Sequence, residues 1–194
     1  MLQLKNISFS AETEDGVKEI LKDISMEITD GFLAITGPNG GGKSTLAKLL
    51  SDYYNIPHLY MDTVQFYDDM KARSIDEQNQ ITRDFLAEHD NWVIDGNYYA
   101  IAPERYHLCD EIYFLDYPRW YCLKEAIKRY FKNRNQFRVS LGCIESFDMS
   151  FFFWIIYEGR TKYWKMRHEE HFNMCKVGHR FKSRKELRNY LYQQ

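Results

Sequence analysis

Residues 37–44, Gly-Pro-Asn-Gly-Gly-Gly-Lys-Ser, constrain the fold more than any other stretch of this 194-residue chain. Before them stands Phe32-Leu33-Ala34-Ile35-Thr36, a short continuous apolar run. Such a run bounded by glycine predicts a strand buried on both faces of a parallel sheet. After them, Leu46, Ala47, Leu49 and Leu50 recur at helical spacing from Ser44 onward. A strand, a glycine-rich turn and a helix in that order form half of a βαβ unit. The remaining chain repeats the alternation. His58-Leu59-Tyr60-Met61, Trp92-Val93-Ile94 and Ile112-Tyr113-Phe114-Leu115 read as strands. Ser74-Ile75-Asp76-Glu77 and Ser183-Arg184-Lys185-Glu186 read as capping boxes that open helices, the first running to about His89. Pro118 is placed to begin a helix carrying Leu123, Ala126 and Ile127, and a long aromatic helix is expected from about Phe147 to Glu169. Ahead of all this, Leu2, Leu4, Ile7, Ile20, Leu21, Ile24, Met26 and Ile28 alternate with polar residues around Glu14-Asp15-Gly16, the pattern of antiparallel strands. The fold class is α/β, three layers around a parallel sheet, with N-terminal antiparallel strands and a helical lid segment. One domain is expected, with residues 1–31 as a β extension and 32–194 as a core whose lid spans about 129–160.

The loop itself satisfies G-x-x-x-x-G-K-[ST] with a strand before it and a helix after it. Its glycines let successive backbone N–H groups close on a phosphate at a helix N-terminus. Gly37, Pro38, Asn39, Gly40, Gly41, Gly42, Lys43, Ser44 and Thr45 are therefore expected to bind a nucleotide, with ATP and Mg²⁺ as the cofactors. Lys43 is placed for the β- and γ-phosphates, the Ser44 hydroxyl for Mg²⁺, and Thr45 for the α-phosphate side.

Further candidates come from position. Asp62 and Asp95 each follow a predicted strand, and the carboxyl ends of parallel strands border the ligand crevice. One would hold Mg²⁺, the other a substrate hydroxyl; a turn aspartate is the alternative for each. Asp95 is taken as the catalytic and metal candidate and Asp62 as the substrate candidate. Arg129, Arg134 and Arg138 lie on and after the helix that follows Asp116-Tyr117-Pro118, where cationic groups of a lid meet a migrating phosphoryl. Arg129 and Arg134 are taken as catalytic, and Arg160 is placed to close from the other side. Arg105 is a candidate clamp for an anionic acceptor. The aromatics of 147–164 read as core packing or as a stacking platform.

Charge, cysteines and hydropathy add partners and location. Net charge is −2, yet residues 119–138 hold seven Lys/Arg against one Glu, and 160–188 hold ten against three. Two positive segments facing something anionic account for this, as does a solvated basic helix face. Four cysteines, Cys109, Cys122, Cys143 and Cys175, form no CxxC pair and read as reduced thiols. His168, His171 and Cys175 share a helical face, and this spacing reads as incidental rather than as a metal site. No apolar run approaches membrane-spanning length, and no signal peptide is apparent, so a cytoplasmic location is expected.

Residues 1–50 resemble the opening of ABC transporter ATPases through Leu4-Lys5-Asn6-Ile7-Ser8-Phe9, Ile20-Leu21-Lys22-Asp23-Ile24-Ser25 and the phosphate loop. The likeness ends there. No LSGGQ signature, Walker B Asp-Glu or switch histidine follows, and Ala11 stands where an adenine-stacking aromatic is expected. Residues 56–192 resemble the adenylate-kinase-like DNA topology modulation proteins. The matching stretches include Leu59-Tyr60-Met61-Asp62, Trp92-Val93-Ile94-Asp95-Gly96-Asn97-Tyr98 and Asp110-Glu111-Ile112-Tyr113-Phe114-Leu115-Asp116-Tyr117-Pro118-Arg119. That resemblance implies a nucleotide-kinase-type core with a lid carrying Arg129 and Arg134. The leading expectation is an ATP·Mg²⁺-dependent phosphotransferase on a small anionic or nucleotide-like acceptor. An ABC-related ATP-binding module without transport activity is the alternative, and a nucleic-acid-associated protein using the basic 160–188 segment the third.

Overall fold

A computed structural model of the protein describes residues 2–13, 16–28, 31–67, 71–133, 137–138, 143–144 and 149–193. The chain opens with β1 (Leu2–Thr13) and β2 (Gly16–Ile28), an antiparallel pair with Leu2 opposite Ile28 and Thr13 opposite Gly16. Then follow β3 (Phe32–Thr36), α1 (Lys43–Tyr54), β4 (His58–Tyr60), α2 (Met61–Gln65), α3 (Ile75–Glu88) and β5 (Trp92–Asp95). After α4 (Arg105–Leu108) come β6 (Glu111–Leu115), α5 (Arg119–Asn133), and the two-residue strands β7 (Phe137–Arg138) and β8 (Cys143–Ile144). The chain closes with α6 (Met149–Ile156), α7 (Lys162–Phe172), β9 (Val177–Phe181) and α8 (Arg184–Gln193), the last lying against β2.

Five parallel strands form the central sheet in the order β4-β5-β3-β6-β9. Alternation along the strands sorts the core into two halves. Leu33, Ile35, Val93, Tyr113 and Leu115 point to one face and pack with Leu46, Ala47 and Leu50 of α1, Ala126 of α5, Ile155 and Ile156 of α6 and Leu191 of α8. Ala34, Trp92, Ile94 and Ile112 point to the other and pack with Met61 and Val64 of α2, Tyr106 of α4, and partly buried residues of α3 and α7. Because both faces are covered, the strands read as continuous apolar runs. The P-loop strand β3 is central, so the loop after it opens at the carboxyl ends of its neighbours.

Both serines cap their helices as expected, although the Glu77 side chain turns to Tyr67 and Arg73 instead of closing its box. Ser74 accepts from the Glu77 amide, and Ser183 from the Glu186 amide, while Glu186 reaches back to the Lys182 amide at 2.6 Å. Three expectations need correction. The long helix is broken: α6 ends at Ile156, a 3₁₀ turn occupies Glu158–Arg160, and α7 starts at Lys162. Gly159 makes the break compact, since a Cβ there would meet the Trp154 carbonyl at 3.0 Å and its indole nitrogen at 3.2 Å. The edge strand β9 carries no apolar run and has no counterpart in the sequence reading. Finally, Cys109 and Cys175 are joined as a disulfide, with Cα atoms 5.3 Å apart. Glu111 pairs with Val177 across β6 and β9, and the two cysteines stand two residues before these partners. Without β9 in the sequence reading, that register was invisible.

Candidate functional site

The phosphate loop needs its glycines for two separate reasons. Gly37, Gly40 and Gly42 all have positive φ, at +131°, +84° and +87°. In addition, a Cβ on Gly37 would stand 2.6 Å from the Leu115 carbonyl oxygen, and one on Gly40 would strike the Cys122 carbonyl, whereas one on Gly42 meets nothing within 4 Å. Gly42→Ala is thus expected to cost only the left-handed strain of about 1 kcal/mol. Gly40→Ala must also push α5 away, and should lower Tm by several degrees more than Gly42→Ala and weaken ATP binding with it. Equal melting curves for the two variants would remove the close approach of α5 from the argument.

Lys43 opens α1 and donates to the Gly37 carbonyl at 2.6 Å and to Asn39 Oδ1 at 3.3 Å. Burial pushes its ammonium below the ordinary lysine value; the Asp62 and Asp95 carboxylates pull the other way, and the charge of Arg129 adds to the depression. The Ser44 hydroxyl donates to Asp95 Oδ2 at 2.5 Å, and His58 Nε2 lies 2.9 Å from Asp95 Oδ1. Asp95, last residue of β5, is buried, as is the His58 side chain. A hydroxyl and a carboxylate side by side at the mouth of a phosphate loop are the oxygen donors that Mg²⁺ takes, so Ser44 and Asp95 fit the metal. Asp62, at the start of α2, accepts from the Tyr98 hydroxyl at 2.5 Å. Burial together with the Asp62 charge raises the Tyr98 phenol well above its ordinary value.

One cavity of about 1160 Å³ joins these groups. The phosphate loop lines one part. Asp62, Gln65, Phe66, Gln78 and Tyr98 line another, and Lys128, Arg129, Trp154, Arg160, Tyr163, Trp164 and Arg167 the wall formed by α5, α6 and α7. Trp154 and Trp164 meet edge to face, 5.3 Å between ring centres, on the cavity wall, while Phe151 and Phe152 pack with Ile155 and Ile156 in one half of the core and Trp164 against the other, so the stretch serves both core and cavity. Arg160 donates to the Tyr117 carbonyl at 2.9 Å and to Cys122 Sγ at 3.3 Å.

Arg105 is placed elsewhere. It is 1% exposed, and its guanidinium donates to the carbonyls of Tyr98, Ile101 and Ala102 and to the Tyr106 hydroxyl, pinning the turn after β5 rather than lining the cavity. Arg134 lies outside the described residues, and so do the Arg138 side chain and most of the span between α5 and α6 expected to form the lid. His168 and His171 are buried against Tyr99, and Cys175 is in the disulfide. No group of three or more His, Cys, Asp or Glu able to hold a metal occurs among the described residues. The sequence alone does not single out His58, Asn97, Tyr98 and Tyr99 as site residues; Asp95-Gly96-Asn97-Tyr98 belongs to the kinase-like stretch, yet nothing local says that it folds back onto Gly37.

His168 supplies a pH prediction. Burial pushes it down to about 4, further depressed by the charges of Lys43 and Arg160. Between about 4 and the ordinary 6.5 the unfolded chain binds a proton that the folded chain refuses, so stability rises with pH through that window. The difference corresponds to about 3 kcal/mol between pH 7 and pH 4. Melting curves of wild type and His168→Asn across this range should diverge on acidification, with the wild type falling more steeply. Parallel curves would show that His168 does not carry the effect.

No family model matches the chain. Over 130 residues, 64% of this chain and 48% of the relative, it is 32% identical to a protein named as an ABC transporter ATP-binding protein from Pyrococcus horikoshii. It is 29% identical over 93 residues to the microcin-J25 export ATP-binding/permease protein of Escherichia coli, covering 47% of this chain and 15% of that one. The chain therefore spans less than half the length of these curated relatives. Among solved structures, shikimate kinase from Acinetobacter baumannii in complex with shikimate superposes with a TM-score of 0.51 at 14% identity, covering 85% of this chain and 92% of that one. Among the described residues no helix is long and apolar enough to cross a membrane. The phosphate-loop motif, the sequence similarity to ABC transporter ATP-binding proteins and the fold shared with shikimate kinase together make this chain P-loop-NTPase-like, ABC-ATPase-like in sequence and kinase-like in fold.

Proposed function

We propose that the protein is an ATP·Mg²⁺-dependent phosphotransferase acting on a small acceptor. The observation that carries this reading is the continuity of one cavity from the phosphate loop, through Asp95, to Asp62, Tyr98 and the Trp154–Trp164 wall. A hydrolase or a motor needs room for nucleotide and water; this cavity has room for a second molecule. Lys43 holds the β- and γ-phosphates, and the backbone amides of 37–44 cradle them. Ser44 and Asp95 would hold Mg²⁺, which when bound neutralises charge on the phosphate oxygens. His58 keeps the Asp95 carboxylate oriented from behind. An acceptor hydroxyl meets Asp62, which takes its proton as general base, with Tyr98 fixing the carboxylate. Arg129 stabilises charge on the migrating phosphoryl. A planar, nucleotide-like body lies against Trp154 and Trp164. The resemblance of residues 56–192 to DNA topology modulation proteins supports a kinase-like core.

Incubation with MgATP and a panel of nucleosides, nucleotides and hydroxy acids should yield phosphorylated product with matching ADP. ATP hydrolysis that no acceptor alters would favour the second reading, an ABC-related ATPase module, which rests on the sequence relatives. Asp95→Asn keeps the shape of the side chain and removes its charge, and should lower turnover on the order of 10²-fold and weaken its magnesium dependence while the fold persists. Unchanged magnesium dependence would transfer the metal to Asp62. The nucleic-acid reading loses ground in the basic segment, where Arg167 pairs with Glu170, Arg180 with Asp116 and Glu169, and Lys176 with Asp110.

A further inference from the structure

A run of side chains, buried except for the half-buried Asn97, connects α7 to the first peptide of the phosphate loop. Asn97 grips Gly37 from both sides: its Oδ1 accepts from the Gly37 amide at 3.0 Å, and its Nδ2 donates to the Gly37 carbonyl at 2.6 Å. The same carbonyl accepts from Lys43 Nζ at 2.6 Å. Asn97 Oδ1 also accepts from the Thr36 hydroxyl at 2.8 Å, Thr36 Oγ1 lies 3.1 Å from the Tyr99 hydroxyl, and that hydroxyl bonds His168 Nδ1. Thr36, Tyr99 and His168 are 1%, 4% and 6% exposed, so water does not complete these bonds.

Proton counting gives the run a direction. The Gly37 N–H obliges the group facing it to be Oδ1 of Asn97, and Oδ1 donates nothing. Thr36 has one hydroxyl proton, and it goes to Asn97. Tyr99 must then give its single proton to Thr36, because two lone pairs at 3.1 Å would repel. His168 is left to donate from Nδ1–H as the neutral imidazole. Each hydroxyl and imidazole proton is used once, Asn97 Oδ1 and the Gly37 carbonyl each accept twice, and each link favours the next.

We propose that Asn97, Tyr99 and His168 are positioning residues forming a one-way hydrogen-bonded relay that sets the Gly37 peptide, and through it the place of Lys43, according to the seating of α7. The relay matters because Trp164 and Arg167 of the same helix line the cavity opposite the phosphates. A molecule settling against α7 is thereby felt at the nucleotide end without touching it. Nothing in the relay depends on the identity of the acceptor.

The test uses the intact chain and mant-ATP with Mg²⁺ as the probe. Loss of a buried, oriented hydrogen bond changes affinity by roughly 3- to 10-fold. Asn97→Ala should weaken mant-ATP binding about tenfold and His168→Phe about threefold. Phe keeps the ring and removes the donor, so its Tm should equal or exceed that of the wild type while affinity falls. His168→Asn, whose amide donates from near the Nδ1 position, should restore affinity. The double variant Asn97→Ala/His168→Phe should bind no worse than Asn97→Ala, since the relay is already cut. Fully additive losses, or no rescue by His168→Asn, would overturn the relay. Should Asn97→Ala fail to fold, ¹⁵N spectra of the wild-type imidazole decide: Nδ1–H is required, and an Nε2–H tautomer rules the relay out. Lys43→Ala serves as reference. Retained binding there would unseat the P-loop reading, while the tautomer still judges the relay by itself.

Discussion

Replacing Lys43 by alanine is expected to weaken MgATP binding on the order of 10²-fold or more and to abolish turnover. The ammonium is buried at the base of the loop with two carboxylates, Asp62 and Asp95, drawing on its charge, and it donates to Gly37 and Asn39 within the loop itself. Its burial is worthwhile only opposite an anion, and a polyphosphate supplies more charge than either aspartate. The fold should survive, because Lys43 begins α1 but contributes nothing to the core that Leu46, Ala47 and Leu50 build. Relief of its desolvation even favours a slightly higher Tm. Isothermal titration with ATP, beside a melting curve, checks both halves. A folded Lys43→Ala protein that binds ATP normally would overturn the phosphate-loop assignment.

The second large effect concerns Arg129, on the cavity face of α5 and close enough for its charge to act on Lys43. Its contribution belongs to the transition state, when negative charge spreads over the equatorial oxygens of the migrating phosphoryl. Arg129→Ala should reduce kcat by on the order of 10²-fold while ATP affinity stays within a few-fold. Arg129→Lys should recover only part, because an ammonium lacks the planar fork that meets two oxygens at once. Steady-state kinetics with and without a saturating acceptor separate this role from that of a solvated helix arginine, whose removal changes stability by no more than about 0.5 kcal/mol. An unchanged kcat would take α5 out of the chemistry.

Lys43 and Arg129 differ in how much of their placement the order of the chain encodes. Lys43 was legible because its whole environment is local: strand, glycines, lysine and helix follow one another within about twenty residues, and their covalent order dictates their geometry. Arg129 was legible as a lid-helix cation, but that it shares a cavity with Lys43 required the fold. Arg105 illustrates the opposite outcome. An arginine after a strand-end aspartate reads as an anion clamp, yet its guanidinium turns inward to the carbonyls of Tyr98, Ile101 and Ala102, of which Tyr98 and Ala102 also accept from backbone amides of the same turn.

Local rules therefore determined the βα alternation, the two serine caps, the parallel sheet with both faces covered, and the phosphate loop. Tertiary structure alone decided what depends on register between distant strands. Pairing of β6 with β9 brings Cys109 to Cys175 across 66 residues. Pairing of β3 with β5 sets Ile35 beside Asp95, and so carries Asn97 onto Gly37 and Asp95 onto Ser44. Spacing along a chain encodes which face of its own element a residue takes, since helix and strand periods are local properties. It does not encode the partner across the sheet, because that choice is made by burial summed over both layers, and the polar edge strand β9 joins the sheet with no apolar pattern to announce it.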